Sequence, residues 1–135
     1  MPVIDTCIVL AVLLDEPDSE AARTLLSTAA PLHAPDHLPL EAANALTSAM
    51  RRGRISPAGA ASRLRMVLDL PITYHAHQPL LPRALHISLH HQRRPFDALF
   101  VALAEHLEDP LITSDGPLVR GFAGTALGRW VTLLV

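Results

Sequence analysis

The sequence predicts an α/β fold with a mainly parallel central sheet covered by helices on both faces. Two observations predict it. Short apolar strands recur along the chain, each separated from the next by one or two helical stretches, which is the pattern of strand–helix–strand crossovers. The chain has 135 residues, half of them hydrophobic and 18% charged, which suits one domain with a substantial core and argues against disorder. Internal repeats and low-complexity linkers are absent from the sequence.

Val3-Ile4 reads as a buried strand ending at Asp5-Thr6, and "CIVLAVLL" as a helix stopping before "DEPDS". Pro17 introduces a second helix, with Asp18 as its cap and residues 20–29 as its body. "PLHAP" (31–35), between prolines, is a strand. From Asp36 to Arg52 runs a helix with Leu38, Ala42, Ala45, Leu46 and Ala49 apolar, closed by Gly53. Ser56-Pro57 opens the next as N-cap followed by proline at the first helical position. "ITYH" (72–75) is a strand, and residues 78–94 are a helix. In "RRPFDALFVALAEHL" (93–107), Phe96, Phe100, Leu103 and Leu107 recur at helical spacing and are expected to face the core. "PLITSD" (110–115), "GPLVRGF" (116–122) and "RWVTLLV" (129–135) read as a strand, a short helical turn and a last strand.

Composition removes several chemistries. All 11 basic residues are arginine, so a Walker lysine, a Schiff-base lysine and the lysine of acid-pocket phosphotransfer domains are ruled out. Cys7 is the single cysteine, which leaves no internal disulfide and no cysteine zinc cluster; it reads as a small buried hydrophobe. No apolar stretch reaches the roughly 18 residues of a membrane span, and the N-terminal run carries Asp5 and Asp15 with no basic residue, unlike a signal peptide. A cytoplasmic location is expected. The net charge of −2 does not by itself signal a nucleic acid, although acids masked by a metal leave that partner open.

Four acids stand at unusual places. In open parallel sheets, ligands bind outside the carboxyl ends of the strands. That rule selects Asp5 and Asp115, each at the end of a strand, although Asp115-Gly116 also fits an ordinary turn. Asp97 lies at the edge of an apolar stripe at a helix start, where the free N–H groups would favour any carboxylate. Glu41 is flanked by Leu40 and Ala42, with Asn44 three residues on; a solvated helix face is the plain alternative. Four converging carboxylates would raise each other's pKa unless a cation neutralised them. An all-oxygen site of that kind favours Mg²⁺ or Mn²⁺, and its natural chemistry is phosphodiester hydrolysis.

"VIDTCIVLAVLLDEP", "LEAANAL" and "FDALFVALAEHLEDPLITSD", in this order and spacing, resemble the PIN-domain ribonucleases, and among them the VapC-type toxins of bacterial toxin–antitoxin pairs. The resemblance spans Met1 to about Arg120 and implies a PIN-like nuclease domain over residues 1–135. It implies that Asp5, Glu41, Asp97 and Asp115 form the acidic pocket, with Asp5 and Asp97 the principal ligands of Mg²⁺ or Mn²⁺. Asp115 would complete the site or hold a second ion. Glu41 would bind a second metal or orient the attacking water, and Thr6, Asn44, Thr113 and Ser114 would be supporting polar residues. The resemblance also implies an RNA substrate, often structured RNA such as transfer RNA, a small antitoxin protein as partner, and a homodimer. Two features depart from the family pattern: the stiff Gly116-Pro117 after Asp115, and Phe96 where tyrosine is frequent.

Arg51, Arg52 and Arg54 after the Glu41 helix, and Arg93 and Arg94 before the Asp97 helix, are candidates for RNA phosphates; helix C-terminal charge is the other account of the first group. His86, His90 and His91 lack an HExxH pattern and read as surface histidines; the other five show no ligand spacing. Two other functions fit less well. A catalytically silent interaction scaffold has no use for the intact quartet. A haloacid-dehalogenase-type phosphohydrolase wants an Asp where Cys7 stands, and a lysine.

Overall fold

The structure, a computed structural model, describes residues 1–28 and 30–135. Five strands alternate with seven α-helices: β1 (Val3–Ile4), α1 (Thr6–Leu13), α2 (Ser19–Leu26), β2 (Leu32–Pro35), α3 (Leu38–Arg51), α4 (Pro57–Asp69), β3 (Ile72–His75), α5 (Leu81–His91), α6 (Pro95–Leu107), β4 (Leu111–Thr113), α7 (Gly116–Phe122) and β5 (Val131–Leu133). Single 3₁₀ turns at Gln78–Leu80 and Gly128–Trp130 lead into α5 and β5.

All four strand pairings are parallel, in the order β3-β2-β1-β4-β5. Strand β1 is the middle of the sheet. Val3 pairs with His33 on one side and Leu111 on the other. The chain winds outward from β1 through β2 to β3, then returns to lay β4 on the opposite flank of β1. The sheet therefore reverses its winding between β1 and β4, the place where parallel sheets open a crevice at their carboxyl ends.

Helices cover both faces. Helix α6 is apolar nearly all round and is the central core element, its residues 98–104 all buried against Val3, Ile4, Leu32 and Leu111. Ile112, pointing the other way by the period of two, joins Leu25 and Leu26 in packing on Ile8, Ala11 and Ala22 of α1 and α2. Because α3 and α6 return antiparallel to the strands, their N-termini rise at the sheet's carboxyl edge. No helix among the described residues is long and apolar enough to cross a membrane.

Local chemistry accounts for most boundaries. Ser56 Oγ accepts the Gly59 amide at 2.9 Å and caps α4 as expected. Gly53, at φ +74°, lets the chain turn back so that Gly53 and Arg54 donate to Met50 and Ala49 carbonyls and end α3. Helix α2 stops at Leu26, short of the expected 20–29, and Asp18 makes no side-chain capping bond; Ala29 lies outside the described residues. Helix α5 ends at His91, three residues before the expected limit, because Gln92 turns left-handed at φ 54°. The last strand is shortened to Val131–Leu133 by the 3₁₀ turn through Trp130. One core assignment is corrected. Phe100 and Leu103 are buried, but Phe96, in the first turn of α6, is 51% exposed: the core has ended there and the cleft has begun.

Candidate active site

A cleft of about 440 Å³ opens at the sheet's carboxyl edge, lined among others by Asp5, Thr6, Glu41, Asn44, His37 and Arg94. Asp5 follows β1 directly and occupies the N-cap position of α1, yet its side chain makes no capping bond. Its Oδ2 accepts the hydroxyl of Thr113 at 2.8 Å instead. Thr113 is fully buried at the end of β4, and its Oγ1 also accepts the Asp115 amide at 3.0 Å. Cys7 completes this knot: its sulfur lies 3.3 Å from Thr113 Oγ1 and accepts the Ser114 amide at 3.3 Å. Burial pushes the thiol up to about 11, so it stays protonated, in keeping with a structural role.

Glu41 projects from the first turn of α3, its Oε1 accepting the Thr6 hydroxyl at 2.8 Å. Glu41 is half-buried and held by Thr6 rather than standing on a freely solvated face; its neighbour Leu40, by contrast, is 72% exposed. Asp97 stands in the first turn of α6, half-buried, with Arg94 Nε 3.9 Å from its Oδ2 and no hydrogen bond to a helix amide among the described residues. Capping therefore does not account for it.

Electrostatics join these acids. Burial, the repulsion of Asp97 and Glu41, and only partial relief from Thr113 push Asp5 up to about 6. Glu41 is raised by burial and by Asp97, and Asp97 by burial and by Asp115, with Arg94 opposing both. Asp115 belongs to the edge of this group. Its Oδ1 caps α7 by accepting the Leu118 amide at 3.2 Å, and it influences Asp97 from there. Gly116-Pro117 supplies the first turn of that helix, so the stiff dipeptide fixes Asp115 as a cap.

The candidate arginines divide. Arg94 lines the cleft and lies over the Phe96 ring, 5.8 Å from its centroid. Arg93 donates to the Pro117 carbonyl at 2.7 Å, while its own carbonyl accepts from Ser88; its charge still reaches Asp97. Arg51 and Arg52 stand at the opposite end of α3, roughly 15 Å along the axis from Glu41, and Arg54 follows them. Asn44 is exposed on the cleft wall, and Ser114 contributes its backbone amide rather than its hydroxyl.

His37 is the site residue that sequence reasoning missed. It is 8% exposed, its Nε2 donates to the Phe96 carbonyl at 3.1 Å and lies 3.5 Å from Glu41 Oε1, and its ring packs on Phe100. Burial lowers its pKa and keeps it neutral. Its partners Phe96 and Phe100 lie about sixty residues away, and the one local signal is Glu41 four residues on.

The donor set is all oxygen. Asp5 Oδ1, Glu41 Oε2 and Asp97 Oδ1 have no hydrogen-bond partner among the described residues. No three His, Cys, Asp or Glu side chains among the described residues are gathered tightly enough to close round one ion. Such an arrangement suits Mg²⁺ or Mn²⁺, since Mg²⁺ is commonly held by one or two carboxylates and keeps several waters. A cation placed among Asp5, Glu41 and Asp97 would offset the mutual repulsion that helps raise them.

The PIN domain family model matches residues 3–120, most of the chain and every element carrying the acids. The chain belongs to the PIN-domain family. Its curated relatives include "Ribonuclease VapC3" of Pyrobaculum aerophilum, 31% identical over 122 residues, 89% of this chain and 93% of that protein. "Ribonuclease VapC12" of Mycobacterium tuberculosis is 32% identical over 127 residues, 93% of this chain and 95% of that protein. Two solved structures share the PIN fold. PAE2754 of Pyrobaculum aerophilum superposes with TM-score 0.69 at 23% identity, over 91% of this chain and 80% of that one. A chain of a toxin–antitoxin complex from Klebsiella pneumoniae does so with TM-score 0.65 at 18% identity, over 98% and 96%. The five-stranded parallel sheet is thus that of a VapC-type PIN domain.

Proposed function

We propose that residues 1–135 form one metal-dependent endoribonuclease domain that hydrolyses RNA phosphodiester bonds as the toxin of a type II toxin–antitoxin pair. The observation that carries this reading is Asp5, a partly buried carboxylate held by Thr113 and faced by Glu41 and Asp97 at the sheet's reversal point. The names of its curated relatives support the ribonuclease, and the toxin–antitoxin complex among its structural neighbours supports an antitoxin partner. A homodimer, a structured RNA substrate such as transfer RNA and a cytoplasmic location complete the reading.

A divalent cation, Mg²⁺ or Mn²⁺, would supply the charge that binds the phosphate, acidifies the attacking water and stabilises the leaving oxygen. The chain's residues supply the rest. Asp5, whose Oδ2 is taken by Thr113, and Asp97 would hold the ion. Glu41 presents Oε2 to the attacking water and accepts its proton there, because Oε1 is occupied by Thr6. Burial raises Glu41, which makes it a better base than an exposed carboxylate. Arg94 at the cleft wall, with Arg93 behind it, neutralises the flanking phosphates.

Purified protein incubated with total RNA tests this, with Mg²⁺ or Mn²⁺ against chelator and beside Asp5→Asn and Asp97→Asn. Discrete metal-dependent fragments from the wild type, lost in both variants, are expected. A wild type that cuts no RNA and binds neither ion in calorimetry overturns the reading in favour of the silent scaffold.

A further inference from the structure

We infer that His37 is a positioning residue, a clamp between the starts of α3 and α6 that sets the distance from Glu41 to Asp97 across the cleft. The inference deepens the nuclease reading and rests on it for its consequence.

The geometry is a chain of neighbours round the cleft. Thr6, adjacent to Asp5, donates to Glu41 Oε1. The same oxygen lies 3.5 Å from His37 Nε2. That nitrogen donates to the carbonyl of Phe96, the residue adjacent to Asp97. The frame therefore begins beside one expected metal ligand and ends beside the other, linking the first turns of α1, α3 and α6. No side-chain cap holds the first turn of α6 from its own sequence, since Arg94 sits at the N-cap without a capping bond. His37 is what fastens that turn to the neighbouring helix.

A histidine suits the task better than a shorter donor. The ring spans from the α3 N-terminus to the α6 backbone while packing on Phe100, ring centroids 4.8 Å apart. Its Nδ1 is buried without a hydrogen-bond partner among the described residues, so the position tolerates an unsatisfied polar atom to keep Nε2–H in place. A core position selected for packing alone would be served by phenylalanine.

The test compares the full-length wild type with His37→Phe, which keeps the ring and loses the donor, and His37→Gln, whose amide N–H has the reach of Nε2. Amide exchange of Asp97 and Ala98 reads the clamp directly, and calorimetric Mn²⁺ binding reads its consequence. In His37→Phe, exchange in the first turn of α6 is expected to rise about tenfold and the Mn²⁺ Kd to weaken about tenfold, the loss of one hydrogen bond. His37→Gln is expected to bring both within about threefold of wild type, a rescue that general loss of packing would not give. His37→Asn, polar but too short to reach Phe96, reads the same contrast should the phenylalanine variant not fold. Unchanged α6 exchange in the donorless variants overturns the clamp. A wild type that binds no Mn²⁺ overturns the nuclease reading instead, and α6 exchange then judges the clamp alone.

Discussion

Thr113 donates its hydroxyl to Asp5 Oδ2 at 2.8 Å across 108 residues of sequence, and the same hydroxyl oxygen accepts the amide of Asp115. One buried side chain thus joins the end of β1 to the cap of α7, on the two sides of the sheet's reversal point.

Replacing Thr113 with valine keeps its shape and removes both bonds. A partly buried carboxylate and a partly buried amide lose partners, at a cost of about 1–3 kcal/mol. The Thr113 bond opposes the rise in Asp5's pKa, so its loss pushes Asp5 higher. Thermal melting should show a larger deficit at pH 8, where Asp5 is ionised, than at pH 5. Metal-dependent cleavage should need a higher pH to reach half its maximum.

Asp5 itself makes the metal-free protein less stable at neutral pH. Its pKa rises from 3.8 in the unfolded chain to about 6 in the fold, so the native state holds the proton more tightly. That stabilisation is full below pH 4 and lost as pH rises through 6, a swing of roughly 2–3 kcal/mol. Asp5→Asn should therefore melt several degrees above wild type at pH 8 in chelator, and near wild type at pH 4. Added Mn²⁺ should raise the wild-type melting temperature at pH 8 and leave the variant nearly unmoved. Melting curves that are parallel for the two proteins at every pH would contradict this account.

Gly121 seats Arg93. A Cβ there would stand 2.7 Å from Arg93 Nη2 and 3.4 Å from its Nε and Cζ, so Gly121→Ala displaces the guanidinium from α7. The displaced atoms are the end of a flexible side chain, so stability should change little. RNA affinity should fall a few-fold, with the salt dependence of binding reduced by about one phosphate contact, in filter binding across a salt series. Mn²⁺ binding should be unaffected.

The order of elements is legible because its punctuation is local. Ser56-Pro57, Gly53 and the flanks of "ITYH" each act within a few residues, and the structure places α4, the end of α3 and β3 accordingly. The end of α5 is less legible, since the left-handed residue there is Gln92 rather than glycine, whereas α6 ends at Leu107 as its pattern predicts. Asp5 and Asp115 are selected by their place after strands, a rule of topology that needs no side-chain geometry. Phe96 fails the helical stripe because periodicity reports a face and not where along the helix the core stops. His37 and the buried hydroxyl of Thr113 each make one bond to a distant element, to Phe96 and to Asp5, and no spacing within the chain encodes those two meetings.

The bond from Thr113 to Asp5 also sets a schedule. The middle strand of the sheet is the first to be synthesised, yet one of its two neighbours and the hydroxyl holding its carboxylate come from more than a hundred residues later. Contacts so distant in sequence close slowly and late. A ribosome making this chain has therefore to release β4 before the acidic cleft exists, so a truncated product ending short of β4 carries Asp5, Glu41 and Asp97 but no assembled site.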